Sequence, residues 1–313
     1  MNILVTNIGR RVYLMDFLND LKKTYKKLNI HLADNDDYAA SFSYRKVFIH
    51  KIPLISQGNL KYIEAIKKIV KKNKIQLVIP SSKYDLNILS LYKEKFKKFN
   101  CQILVSSNEL IKKLLNKEAT YFLCKKNNIK TPKIYFNINQ IKINSSRKYM
   151  RKKKFGHTSI GNLIIKKINK NYFKKDYIIQ DFIDGQELHF DILNDFSGNY
   201  LASCIKQKIA MRSGETDQAK TLYSKKLEKL AKKISSSFKH IGNLDCDAIQ
   251  TKNGSIFFID FNPVFGGGYP FTHLSGLNYI KAIINLRKNK KVYLPARPKI
   301  KKISKGISAH IVE

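Results

Sequence analysis

The sequence predicts an α/β protein that opens with a doubly wound parallel sheet and continues as α+β in its second half. Three observations carry this. Short apolar runs alternate with stretches of helical spacing through residues 1–106, the pattern of strand–helix crossovers. From residue 177 onward the strands instead follow one another closely through Gly-containing turns at Asp184-Gly185 and Asn253-Gly254, which favours antiparallel pairing. At 313 residues the chain allows one large domain or two to three smaller ones, each with ample core.

In the first part, Ile3–Asn7, Ile30–Ala33, Val47–Ile52, Leu77–Pro80 and Gln102–Val105 read as strands. Val12–Leu21, Leu60–Val70 and Asp85–Phe96 read as helices, the first with Leu14, Met15, Phe17, Leu18 and Leu21 at helical spacing. Such a sheet presents ligands to the carboxyl ends of its strands, here Asn7–Arg11, Asp34–Asp36 and Ser81–Asp85. A dinucleotide turn needs GxGxxG after the first strand, and only Gly9 is present, which excludes NAD and FAD. Asp34 and Asp85 suit capping or turn chemistry at least as well as substrate contact. Ser107 and Asn108 then cap a helix over Glu109–Leu115, and Lys117–Lys126 forms a second helix. A domain boundary is expected near residue 107.

Composition narrows the function classes. The net charge is +37, but the excess is nearly all lysine, scattered over polar helix faces such as Lys67–Lys74 and Lys225–Lys233. Arginine, the residue of bidentate phosphate and base contacts, is scarce, so nucleic-acid binding is a minority reading. Cys101, Cys124, Cys204 and Cys246 are widely spaced with no CxxC pair and read as reduced thiols. The N-terminus runs from a short apolar stretch into Arg10 and Arg11, the reverse of a secretory signal. No apolar run would span a bilayer, so a cytoplasmic protein without a membrane partner is expected.

The chemistry is concentrated in the second half. Residues 145–161 combine a basic strand with a loop of small and polar residues, Gly156 to Gly161, able to cradle phosphate. Tyr177–Gln180 is a strand; beyond the Asp184-Gly185 turn a second strand puts Glu187, His189 and Asp191 on one face. His189 reads as a solvated strand histidine. The strand Tyr200–Gln207 leads into a segment, residues 208–215, where Lys208 and Arg212 are candidate anion contacts. Ser224–Phe238 is an amphipathic helix, and Ile280–Leu286 is another helix before a basic tail. Leu244–Ile249 and the strand beginning at Phe257 form a hairpin that places Asp247 beside Asp260 and Asn262. Like carboxylates on neighbouring strands cost stability unless a cation pairs them, and three oxygens so placed suit one or two Mg²⁺ ions between protein and phosphates. Gly266, Gly267 and Gly268 follow.

These residues resemble an ATP-grasp enzyme, of the kind related to the large subunit of carbamoyl phosphate synthetase. The resemblance covers nearly the whole chain and is strongest over residues 177–278. It implies a Rossmann-like pre-ATP-grasp domain at 1–107, then a two-lobed ATP-grasp domain with lobes 108–185 and 186–313. It implies Lys117 and Lys152 on the nucleotide phosphates, with Lys148 the alternative register, and Gly156 and Ser159 in a loop closing over them. Asp181 and Ile183 would read adenine, and Glu187 the ribose hydroxyls. Asp247, Asp260 and Asn262 would hold Mg²⁺ (Mn²⁺ the alternative ion), with Arg212 and Lys208 near the transferred phosphate or substrate. Specificity would lie at the sheet's carboxyl ends and near Gly266–Gly268 and His273.

Three departures stand out. The family pattern has Glu where this chain has Asp260, Arg after Asn-Pro where it has Val264, and Lys-Pro-Arg where it has Lys152-Lys153-Lys154. The leading expectation is an ATP-dependent ligase joining a small carboxylate to an amine, or a similar nucleophile, through an acyl phosphate. A nucleotide-binding protein with lost or altered turnover is second, and a basic nucleic-acid-binding protein third. Oligomeric state stays open, with a homodimer among the states considered.

Overall fold

The computed structural model describes residues 1–141, 147–156, 161–212 and 214–312. Strands and helices alternate at first: β1 (Asn2–Thr6), α1 (Val12–Thr24), β2 (Asn29–Asp34), β3 (Phe48–Lys51), α2 (Asn59–Lys72), β4 (Leu77–Pro80), α3 (Leu86–Phe96) and β5 (Gln102–Ile103). The five strands make a parallel sheet in the order β3-β2-β1-β4-β5, as the alternation predicts. The order reverses at β1, so the β1 and β4 ends open one crevice. Asp34 and Asp85 serve the loops there. Asp34 accepts from the Gly9 amide at 2.7 Å and the Asn35 amide at 2.8 Å. Asp85 is buried and accepts from Thr6 and Tyr62.

Two helices follow, α4 (Asn108–Leu115) and α5 (Lys117–Lys126). The Ser107 side chain caps the first by accepting from the Leu110 amide, and Asn116 caps the second. Next comes a small antiparallel sheet, β6 (Ile134–Tyr135), β7 (Tyr149–Lys153), β8 (Leu163–Ile165) and β9 (Tyr177–Asp181), in the order β6-β9-β7-β8. Its core is thin: Tyr135, Ile141, Tyr149, Ile165 and Ile179.

The third sheet is the largest. It holds β10 (Gln186–Asn194), β11 (Tyr200–Arg212), β12 (Glu215–Leu222), then, after α6 (Lys225–Phe238), β13 (Gly242–Gln250) and β14 (Ile256–Asn262). Helices α7 (Tyr269–Leu274) and α8 (Tyr279–Arg287) follow, and β15 (Lys302–Ser304) closes the sheet in the order β14-β13-β10-β11-β12-β15. Leu227, Ala231, Ile234 and Phe238 of α6 cover one face against Phe190, Ile192, Leu244 and Phe258.

The sheet corrects two expectations. β11 runs on past Gln207 to Arg212, because Lys208–Arg212 pairs with β12. The basic tail contributes β15, with Gln218 opposite Ser304. Long-range packing also brings α7 and α8 back to the first sheet: Tyr269, Tyr279, Ile280 and Ile283 share a core with Leu14 and Leu18. Arg287 donates to the carbonyls of Gln76 and Asn100. All four cysteines are buried and unpaired, and no helix is long and apolar enough to cross a membrane among the described residues.

Candidate functional site

The three sheets meet at a cavity of about 440 Å³. The first sheet supplies Arg10, Arg11 and Lys83; the small sheet supplies Lys152 and Lys153; the large sheet supplies His189, Lys208, Asp245, Asp247, Asp260 and Asn262. Gly266, Gly267 and Gly268 form part of the wall, as does Lys117 at the start of α5.

The acidic wall follows from strand register. Asp247 pairs directly with Asp260 across β13 and β14, and Asp245 with Asn262. On the other side of β13, His189 pairs with Asp247 and Asp191 with Asp245. Alternation along three adjacent strands thus gathers four carboxylates, an amide and an imidazole on one face.

Protein cations offset the repulsion expected there. Lys208 Nζ lies 2.8 Å from Asp247, Lys83 Nζ 3.5 Å from Asp260, and Lys117 Nζ 3.9 Å from the same carboxylate. Burial works against charge on Asp247, yet Lys208 and His189 outweigh it and hold the carboxyl below the ordinary range. Asp260 behaves likewise under Lys83 and Lys117. Asp245 differs: burial pushes its carboxyl up to about 6 against the pull of His189.

His189 is the largest correction. It is only 4% exposed, not solvated. Its Nδ1 lies 3.0 Å from Asp247, and its Nε2 lies 3.5 Å from both Asp191 and Asp245. Burial opposes the imidazolium, but Asp245, Asp191 and Asp247 together raise its pKa. Gly268 admits the ring: a Cβ there would sit 2.2 Å from Nε2. A Cβ on Gly266 would sit 1.9 Å from Asp245 Oδ2. The glycines are therefore the close-approach wall of the acidic face as well as a turn.

The basic wall is built differently. Lys152 is 8% exposed, and burial depresses its pKa. Among the described residues no carboxylate lies within 4.0 Å of its ammonium. Lys152 and Gly156 line the cavity, whereas Lys148 lies by Phe182 in a separate hollow, which supports the Lys152 register. Ser159, and with it residues 157–160 of the small-residue loop, lies outside the described residues.

Other expected residues fall elsewhere. Asp181 and Ile183 line the hollow with Arg147 and Lys148, and Asp181 accepts from Tyr135 at 2.9 Å. Glu187 is near the acidic wall, 3.4 Å from Lys208. Arg212 does not line the cavity: its side chain is half exposed and bonds Asp217 at 2.8 Å, although Met211 before it and Gly214 after it do. His273 stacks on Phe17 with ring centroids 3.6 Å apart, so it packs α7 on α1. Arg11, Lys83, Asp245 and Glu215 were not singled out from the sequence as site residues. The repeated spacing of His189/Asp191 and Asp245/Asp247 was the available signal, and it needed the β10–β13 register to be read.

The donor set suits Mg²⁺. Two hard carboxylates face each other, and Asn262 Oδ1 beside them is buried without a hydrogen-bond partner among the described residues, an acceptor left for a cation.

An acidic face on the large sheet and a buried lysine on the small sheet thus line one cavity of this chain. The sequence comparisons give it a family. A profile described as the PylC-like N-terminal domain matches residues 3–104, and one described as the ATP-grasp domain matches residues 114–268. The chain is an ATP-grasp protein with a PylC-like N-terminal domain, and ATP-dependent ligases share this fold. No protein of curated function matches the sequence.

Solved structures agree in fold. Campylobacter jejuni biotin carboxylase matches at 15% identity and TM-score 0.72, over 96% of this chain and 73% of its own. Staphylococcus aureus N5-carboxyaminoimidazole synthetase matches at 12% and 0.72, over 96% and 79%. Rhizobium etli pyruvate carboxylase matches at 14% and 0.70, over 94% of this chain but only 29% of the enzyme.

Proposed function

We propose that the protein is a Mg²⁺- and ATP-dependent ligase that activates a small carboxylate as an acyl phosphate and passes it to an amine or similar nucleophile. The observation that carries this is that Asp247, Asp260 and Asn262 line one cavity with Lys152, and that among the described residues neither Asn262 Oδ1 nor the Lys152 ammonium has a partner. Phosphoryl transfer of this kind depends on positioning and charge neutralisation more than on a nucleophilic side chain.

Asp247, Asp260 and Asn262 would hold Mg²⁺, which neutralises phosphate oxygens when bound. Lys152 and Lys117 would contact the phosphates, and Lys208 would hold Asp247 in place or turn toward the transferred group. Burial in a low-dielectric pocket strengthens each of these contacts. The reading divides the chain at 107 and 185, and each segment then contains one sheet, with α7 and α8 of the last packing back on the first. It also fits a cytoplasmic protein acting on small molecules.

The test is phosphate release from MgATP with and without a carboxylate panel. Asp247→Asn should lower carboxylate-dependent release about 100-fold or more. Release that is unchanged in this variant would sink the metal assignment.

One observation favours a second reading, nucleotide binding without ligation. Val264 is 6% exposed and packs in the core of the first sheet, so no cation projects from that position. Calorimetric MgATP binding with no release across the panel would select it.

A further inference from the structure

We propose that Arg11, from the loop after β1, is the substrate-carboxylate contact of this cavity. The proposal rests on the ligase reading above and assigns the substrate end of that site. The loop is held in a defined shape. Asn7 and Gly9 have φ of 50° and 47°, and the Gly9 amide is fixed by Asp34.

Arg11 then crosses to the segment after the metal face. Its Nη1 donates to the Phe265 carbonyl at 3.2 Å and to the Tyr13 hydroxyl at 2.9 Å. Tyr13 in turn donates to the Gly266 carbonyl at 3.1 Å. One nitrogen thus anchors the guanidinium. Among the described residues, Nη2 and Nε have no hydrogen-bond partner, and the side chain lines the cavity. A fork with one tine tethered and the remainder free is preorganised for a carboxylate, whose two oxygens match its spacing.

Position supports the assignment. Phe265 is three residues beyond Asn262, so the guanidinium stands beside the acidic face, and it comes from the first sheet whereas Lys152 comes from the small one. It supplies from the first sheet the cation that Val264, packed in the core, does not. Glu215 and Asp245 line the same cavity, their charges act on Arg11, and they would oppose a second negative charge. The substrate class is therefore a monocarboxylate whose remaining groups are neutral or cationic.

The experiment uses the full chain and its Arg11→Gln and Arg11→Lys variants, each checked for an unchanged melting profile. Each is saturated with MgADP and titrated calorimetrically with the twenty protein amino acids and the matching 2-oxo acids. At least one monocarboxylate should bind the unmutated chain. Its Kd should rise at least 30-fold in Arg11→Gln and recover in part in Arg11→Lys, while MgADP affinity stays within twofold. Equal carboxylate affinity in Arg11→Gln, a matching loss of MgADP affinity, or no carboxylate binding to the unmutated chain overturns the assignment. Phosphate release is scored separately: carboxylate binding through Arg11 without release would leave this inference standing and remove the ligase reading.

Discussion

The two walls of the cavity handle charge in opposite ways. On the large sheet, charges are already matched: Lys206, 1% exposed, bonds Asp191, the Gly268 carbonyl and Thr272, and Lys208 bonds Asp247. On the small sheet, Lys152 is nearly as buried but has no ion-pair partner among the described residues. A matched buried charge holds structure; an unmatched one is desolvated and ready for a ligand. The cores follow the same division. The large sheet packs against α6 and α4 over an extended apolar face, while among the described residues the core cluster of the small sheet is far smaller.

Substitutions can break this contrast. The largest effect is expected on the matched side. Lys206→Met leaves Asp191 buried without its counter-charge and should cost about 3–5 kcal/mol of stability in urea denaturation. A cost near zero would mean that Asp191 finds another partner. On the unmatched side, Lys152→Met should change stability by less than about 1.5 kcal/mol. It should nevertheless weaken MgATP binding by roughly ten- to hundredfold, the worth of a hydrogen bond to a charged group. Large unfolding with unaltered MgATP affinity would reverse the comparison. Gly268→Ala sharpens it further. The added methyl must displace His189 or the α7 start, at about 1–3 kcal/mol. Mg²⁺ affinity, measured by titration with nucleotide present, should fall with it, because His189 braces Asp247.

The acidic face was largely legible before any coordinates. Period-2 alternation and the Asn253-Gly254 turn are local, and together they put Asp247 opposite Asp260. The strand–helix alternation of the first sheet is equally local, and its five strands lie where the apolar runs place them, with shorter ends at β3 and β5. His189 was misread for a reason of distance. A polar residue on an alternating strand faces water by default, and only the β10–β13 register and the approach of Gly268 bury it among carboxylates. β11 runs past Gln207 because its pairing with β12, at an irregular register, decides where the strand ends.

What the sequence determined by itself was the order of the elements and the pairing that builds the acidic face, since each depends on neighbours a few residues apart. The tertiary structure alone decided which cations meet that face. Lys83 reaches Asp260 from β4's loop and Arg11 reaches Phe265 from β1's loop, across separations of more than 170 residues. Such contacts are set by how α7 and α8 pack back on the first sheet, and nothing in the local pattern of either partner encodes that return.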